Sequence, residues 1–316
     1  MGVTTQLPTT GPAVVARPTW AERWIWPLGW ASLVMNAVLV VTGGAVRLTD
    51  SGLGCPTWPH CTTGSFTPHS AMGVHSAIEF GNRLLTFVLA AVAIATFVAA
   101  WRYMRLRGRR DLMWLALLMG LFIPAQAVIG GITVLTELNP WVVSLHLLSS
   151  MAIIGIAVVF LFRLRRGPHR ATPRGPVGWL AWAMFGAAWA VLYVGTVVTG
   201  SGPHAGDAKA PRNGLDSLEI SQLHADLVFL FVGLTVGLLF TLHATRASRT
   251  ARLAAWVLLA VELSQGAIGY AQYFSGLPIV LVGFHMLGAA TISATVTWAL
   301  LETQVSAAAE EALERA

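Results

Sequence analysis

The chain has 316 residues, of which 55% are hydrophobic and only 11% charged, and its mean hydropathy is +0.67. This excludes a pair of soluble domains, which the length alone would allow, because too few polar residues remain to cover them. The net charge of +6 does not mark a nucleic-acid binder: the arginines gather in alternate short loops, and no basic stripe is left for nucleic acid.

Residues 1–24 form a polar, proline-containing segment without the charged start and small-residue cleavage site of a signal peptide, so the first apolar run is expected to remain as an anchor. Eight apolar runs follow, near 26–46, 73–100, 113–135, 141–162, 177–199, 219–243, 253–274 and 279–301. Each is about the 20 residues that cross a bilayer. Backbone polar groups in lipid must pair within their own segment, so these runs are predicted to be helices. The predicted fold is an all-α integral membrane protein whose eight transmembrane helices form two pseudo-symmetric four-helix bundles. Residues 25–165 make the first half, 166–176 a cytoplasmic linker, 177–302 the second half, and 303–316 a solvated tail.

Arg17 and Arg23 precede span 1. Arg102, Arg105, Arg107, Arg109 and Arg110 follow span 2; Arg163, Arg165, Arg166, Arg170 and Arg174 separate spans 4 and 5; Arg246, Arg249 and Arg252 separate spans 6 and 7. The other loops hold only Arg47, Lys209 and Arg212. Positive-inside bias then predicts a multi-pass protein of the cell membrane with both termini cytoplasmic and the loop after span 1 outside.

The halves are related by duplication. Gln126, Ile129, Gly130, Leu138 and His146 recur as Gln265, Ile268, Gly269, Leu277 and His285 at a constant offset of 139 positions, and Val40–Gly43 (VVTG) recurs at 197–200. Aligning the basic ends of spans 2 and 6 gives an offset of 142 and sets Asn82 opposite His224. His146, His224 and His285 each lie five or six residues inside the outer end of a span, about 8 Å deep at 1.5 Å per residue. Two such imidazoles on neighbouring helices can ligate one heme iron from opposite sides. Zinc is disfavoured, because no third and fourth ligands accompany either pair.

Between spans 1 and 2 lie both cysteines, Cys55 and Cys61. In an oxidising compartment they most simply form a disulfide; a redox-active dithiol or a metal pair are the alternatives, and CPTWPHC lacks the C-x-x-C-H spacing of c-type heme. Span 2 opens with His75, Glu79, Asn82 and Arg83 within one helix face. Glu79 and Arg83 are spaced for an ion pair that offsets their cost in the membrane. They read either as a structural pair or as a pocket acid with its counter-charge. Arg47, Lys209 and Arg212 fall at the level where heme propionates would emerge and are candidate charge partners. His60, His69, His169, His204 and His243 read as surface residues. Glu262, Gln265 and Gln126 read as buried polar groups bonding across helices.

The motifs GGAVRLTDSGLGCPTWPHC after span 1, EFGNR in span 2, SLHLLSS in span 4, QLHAD in span 6 and GFHMLGA in span 8 resemble those of the heme A synthase family over nearly the whole chain. That family oxidises a methyl group of heme O to the formyl group of heme A for cytochrome oxidases. The resemblance implies a b-type heme (heme b) on His224 and His285, a substrate heme O at His146, a catalytic glutamate at Glu79, and paired cysteines at Cys55 and Cys61. The family pattern commonly has a histidine where this chain has Asn82. Either His75, on the same face, takes that role, or the substrate iron is held by His146 alone. Expected partners are heme O, the lipid bilayer, a heme O synthase, an electron acceptor and, in a homo-oligomer, further copies of the chain. A b-type electron-transfer cytochrome that leaves heme unmodified, and a transporter, are the competing readings; equal halves with histidines near one surface fit the transporter class poorly.

Overall fold

The computed structural model describes residues 18–68, 73–168 and 175–305. Its eight helices are α1 (Trp20–Leu48), α2 (Gly73–Arg107), α3 (Arg110–Leu135), α4 (Pro140–Arg166), α5 (Gly175–Ser201), α6 (Ser217–Ala244), α7 (Arg249–Phe274) and α8 (Ile279–Glu302), and all eight are long and apolar enough to cross a membrane. His69, His169, Arg17, Arg170, Arg174 and the tail beyond Val305 lie outside the described residues.

The helices start where their sequences can satisfy free N–H groups. Thr19 and Glu22 form a reciprocal capping box at α1. Asn139, followed by Pro140 at the first helical position, caps α4; Asp216 caps α6 and Ser248 caps α7. The box starts α1 at Trp20, inside the segment expected as a tail. α2 and α4 run past their apolar spans to Arg107 and Arg166, since a long arginine can remain helical while its head reaches the interface.

α1 to α4 pack as a closed ring of neighbours, and so do α5 to α8. The rings join through α4 against α8, α1 against α8 and α4 against α5, the pattern of neighbours that a two-fold relation between halves produces. The hairpin turns agree. Leu138 and Leu277, 139 positions apart, both adopt positive φ (63° and 60°), and each N–H closes onto the carbonyl five residues back, Thr133 and Gln272, at 2.7 Å.

At the seam Ser293 donates to the Met151 carbonyl at 2.7 Å, and Arg166 pairs with Glu302 at 3.1 Å, both side chains almost fully buried. Large apolar side chains instead cover the outside: Phe87, Trp179, Phe240 and Phe274 are each more than 70% exposed. An apolar exterior around a polar seam is the arrangement that lipid, rather than water, solvates. The chain is a multi-pass membrane protein.

Candidate functional site

Each hairpin of helices carries a polar side chain on its second member, seated on a glycine of its first. A Cβ on Gly130 of α3 would lie 3.2 Å from Cε1 of His146 on α4; on Gly195 of α5, 3.1 Å from Cε1 of His224 on α6; and on Gly269 of α7, 3.6 Å from Cε1 of His285 on α8. In the remaining hairpin Gly43 of α1 faces Asn82 of α2, whose Nδ2 is 3.9 Å away. The missing side chains let the imidazoles approach the neighbouring helix with Cε1 foremost. Gly195 was not singled out in the sequence, because the VVTG repeat sets Gly200, not Gly195, opposite Gly43.

The structure brings His224 and His285 together, with ring centroids 6.5 Å apart and planes at 74°. Two imidazoles bound at about 2 Å to opposite sides of one metal ion place their ring centres about 6 Å apart. The Nδ1 atoms of His146, His224 and His285 are all buried without a hydrogen-bond partner. The Val191 backbone lies beside His224, where its carbonyl is placed to receive the second N–H that a metal-bound histidine normally donates. Among the described residues no three His, Cys, Asp or Glu side chains converge as a metal-holding group. The donor set is therefore paired imidazoles, which suits axial ligation of a planar macrocycle.

Asn82 is held by Thr42, whose hydroxyl donates to Oδ1 at 2.7 Å, a partner the sequence reading missed. His75 lies exposed at the start of α2 with its Nδ1 3.0 Å from the Ser51 hydroxyl. Seven residues separate it from Asn82, about 10 Å along the helix. Gln126 binds the His146 carbonyl at 3.2 Å and the Ser150 hydroxyl at 2.6 Å, so it fixes the backbone beneath His146.

Glu79 is buried, and both its oxygens are engaged: Oε2 accepts from the Cys55 N–H at 2.6 Å, and Oε1 pairs with Arg83 at 2.5 Å. Arg83 also donates to the Cys55 and Thr57 carbonyls at 3.2 and 3.3 Å. The pair thus organises the loop closed by the Cys55–Cys61 disulfide. Trp58 of this loop lies directly on Gly131, the residue after the one that seats His146. The loop therefore links Glu79 on α2 to the stretch of α3 on which His146 is seated.

Of the three candidate charge partners, Arg47 donates to the His204 carbonyl at 2.7 Å and the Thr199 carbonyl at 2.9 Å, and Arg212 to the Ala210 and Pro203 carbonyls at 2.7 and 2.8 Å. Lys209 is exposed. Arg47 and Arg212 hold the α5–α6 loop, which orients their heads but occupies part of their donor capacity. His204 is not a free surface residue: its Nε2 meets the Leu277 carbonyl at 2.9 Å, tying that loop to the α7–α8 turn.

Comparison with known proteins sets these features in a family. The profile of the COX15-CtaA cytochrome oxidase assembly proteins matches residues 26–212. A heme A synthase of Geobacillus thermodenitrificans is 32% identical over 146 residues, covering 45% of this chain and 44% of that protein. Those of Staphylococcus epidermidis and Bradyrhizobium sp. are 22% and 26% identical, covering 82% and 87% of this chain and 89% and 90% of theirs. The chain thus spans less than half the length of the first of these relatives and most of the other two. With more than half of its residues matched by the family profile, the chain belongs to the COX15-CtaA family of cytochrome oxidase assembly proteins.

Proposed function

We propose that the chain is a heme A synthase, an oxidoreductase that converts a methyl group of heme O to the formyl group of heme A within the membrane. The observation that carries this reading is the His224–His285 pair, 6.5 Å between ring centres in a closed four-helix ring, with a duplicated half that keeps His146 at the equivalent position. The names of its relatives support it. A b-type electron-transfer cytochrome would need only the second half's pair; the substituted first half, with Asn82 opposite a retained His146, is better explained by an exchangeable substrate.

In this reading His224 and His285 would hold heme b, and His146 would hold the substrate heme. Bound there, the hemes supply one-electron redox chemistry that no side chain has. The protein's residues orient and enclose. Gly130 and Gly195 fix the positions of the His146 and His224 rings, Gly269 leaves room for that of His285, and Gln126 fixes the backbone carrying His146. The disulfide loop, pinned by Glu79 and Arg83 and seated on Gly131 through Trp58, covers the corner beside His146. Glu79 places a carboxylate at that corner, where it stabilises positive charge developing on a substrate carbon. His75 is remote along α2 from Asn82, which favours His146 as the sole protein ligand of the substrate iron. Arg47, Arg212 and Lys209 stand on the same side of the membrane as propionate partners. The arginines at the ends of α2 and α4, and those between α6 and α7, support an orientation with both termini and those loops in the cytoplasm of a cell membrane and the Cys55–Cys61 loop outside. The partners are heme O, the bilayer, a heme O synthase and an electron acceptor, with self-association open to assay.

The test is extraction of hemes from purified protein after expression with heme O. Heme B together with heme O or A supports the proposal. Heme B alone, with no conversion of added heme O, identifies a plain cytochrome, and colourless protein removes the reading altogether.

A further inference from the structure

Glu262 lies in the middle of α7, 3% exposed, with Oε1 accepting from the Thr235 hydroxyl of α6 at 2.6 Å and Oε2 buried without a partner. Nothing in the proposed reaction uses it, and an ionisable side chain at that depth is costly to keep. The duplication shows that the fold does not require it. By the offsets that align the halves, Glu262 corresponds to Ile123 and Thr235 to Ala93, and these two pack with Leu89 in an apolar cluster of the first bundle. The second bundle has a carboxyl and a hydroxyl where the first has plain hydrocarbon.

Its position relative to the paired imidazoles follows from helix geometry. Glu262 precedes Gly269 by seven residues, so it lies on nearly the same face of α7 and about 10 Å further along the axis. Gly269 seats His285. Between them Gln265 lies against Gly288 of α8, one turn beyond His285, with its own Oε1 buried and unpartnered. Two bare oxygens thus descend from the His224–His285 pair toward the centre of the bundle.

Among the described residues, the ionisable groups of the helices next to Glu262 lie toward the helix ends. On α6 the ionisable groups are Glu219, His224 and Asp226 near its start and His243 at its end. On α8 they are His285 and Glu302, and on α7 itself Arg249, Arg252, Tyr270 and Tyr273. Along α7 and α6 none stands within seven residues of Glu262 or Thr235.

We infer that Glu262 is a proton-binding site linked to the electron carried between His224 and His285. This rests on the heme-ligand assignment above. When one electron arrives there, the Glu262 carboxylate takes one proton from the aqueous phase onto Oε2; when the electron leaves, the proton is released. In a low-dielectric interior, with no countercharge within seven residues along α6 or α7, the two events are coupled through space.

The test is a redox titration of purified protein with dithionite and ferricyanide, read from the heme absorbance, at intervals from about pH 5 to about pH 10. In the wild type the midpoint potential falls as pH rises, with complete coupling of one proton to one electron corresponding to 59 mV per pH unit. In Glu262→Gln, which keeps an acceptor for Thr235, at least half of that slope is lost while the spectrum is retained. An unchanged slope overturns the inference and leaves the ligand assignment intact. Absence of a bis-imidazole heme spectrum in the wild type instead overturns the assignment. Should Glu262→Gln not fold, Thr235→Val, which keeps the carboxyl and removes its donor, shifts the pH range over which the potential slopes; a profile superimposable on the wild type refutes the linkage.

Discussion

The carboxylate of Glu79 accepts a hydrogen bond from the backbone N–H of Cys55, 24 positions earlier, at 2.6 Å. A single side chain in α2 thereby holds the disulfide loop, and Arg83 completes the hold by spanning Glu79 and the loop carbonyls. Glu79→Ala and Arg83→Ala are each expected to destabilise the protein by about 1.5–3 kcal/mol, the range for hydrogen bonds to charged groups. Because the two act as one unit, the double variant should cost less than the sum. Hydrogen exchange at residues 55–61 should rise in all three, with Glu79→Gln intermediate because it keeps an acceptor for Cys55. Additive costs with unchanged exchange would show that the loop does not depend on this pair.

The seat glycines give a graded prediction. A Cβ at Gly195 or Gly130 would meet the imidazole at 3.1 or 3.2 Å, tighter than ordinary contact, whereas at Gly269 it would sit at 3.6 Å. Gly195→Ala and Gly130→Ala should push His224 and His146 out of place, at about 1–3 kcal/mol for overpacking. Gly269→Ala should be neutral or slightly stabilising, since glycine inside a helix costs about 1 kcal/mol relative to alanine. Heme content and absorbance of the three variants check this; equal loss in all three would mean that the seats are not what positions the rings.

Arg166 and Glu302 form a buried pair across the seam of the halves. Removing either partner breaks a buried ion pair, so Arg166→Ala or Glu302→Ala should cost about 3–5 kcal/mol. Replacing both with apolar residues of similar size should recover most of that loss. Thermal unfolding in detergent reads the difference, and a double variant as weak as the singles would show that the ion pair itself holds the seam.

Much of this was legible in the sequence because it rests on periodicity and composition. Eight apolar runs give eight helices, and the 139-residue offset between His146 and His285 anticipates two hairpins with the same turn at Leu138 and Leu277. What could not be read depends on contacts between segments distant in the chain. The Cys55 N–H reaching Glu79, Trp58 lying on Gly131 and Thr42 holding Asn82 leave no spacing signature. His204 looked like a loop histidine because nothing local to it marks the Leu277 carbonyl as its partner. α1 starts earlier than its apolar run, since the Thr19 and Glu22 box is a polar signal that hydropathy passes over.

Asn82 is where the two halves differ most sharply, for His224 stands at the equivalent position of the second. Its amide is fixed by Thr42 at 2.7 Å, while His75 is turned to Ser51 about 10 Å along the helix. His75→Ala is therefore expected to leave the absorbance of substrate heme bound at His146 unchanged. Asn82→His should bring a second imidazole to the first bundle and convert its heme to the spectrum of the His224–His285 site. With both coordination positions filled, that variant should bind substrate heme more tightly yet release product more slowly, lowering turnover roughly tenfold for each 1.4 kcal/mol gained. A spectrum that changes in His75→Ala and not in Asn82→His would reverse the assignment and make His75 the second ligand.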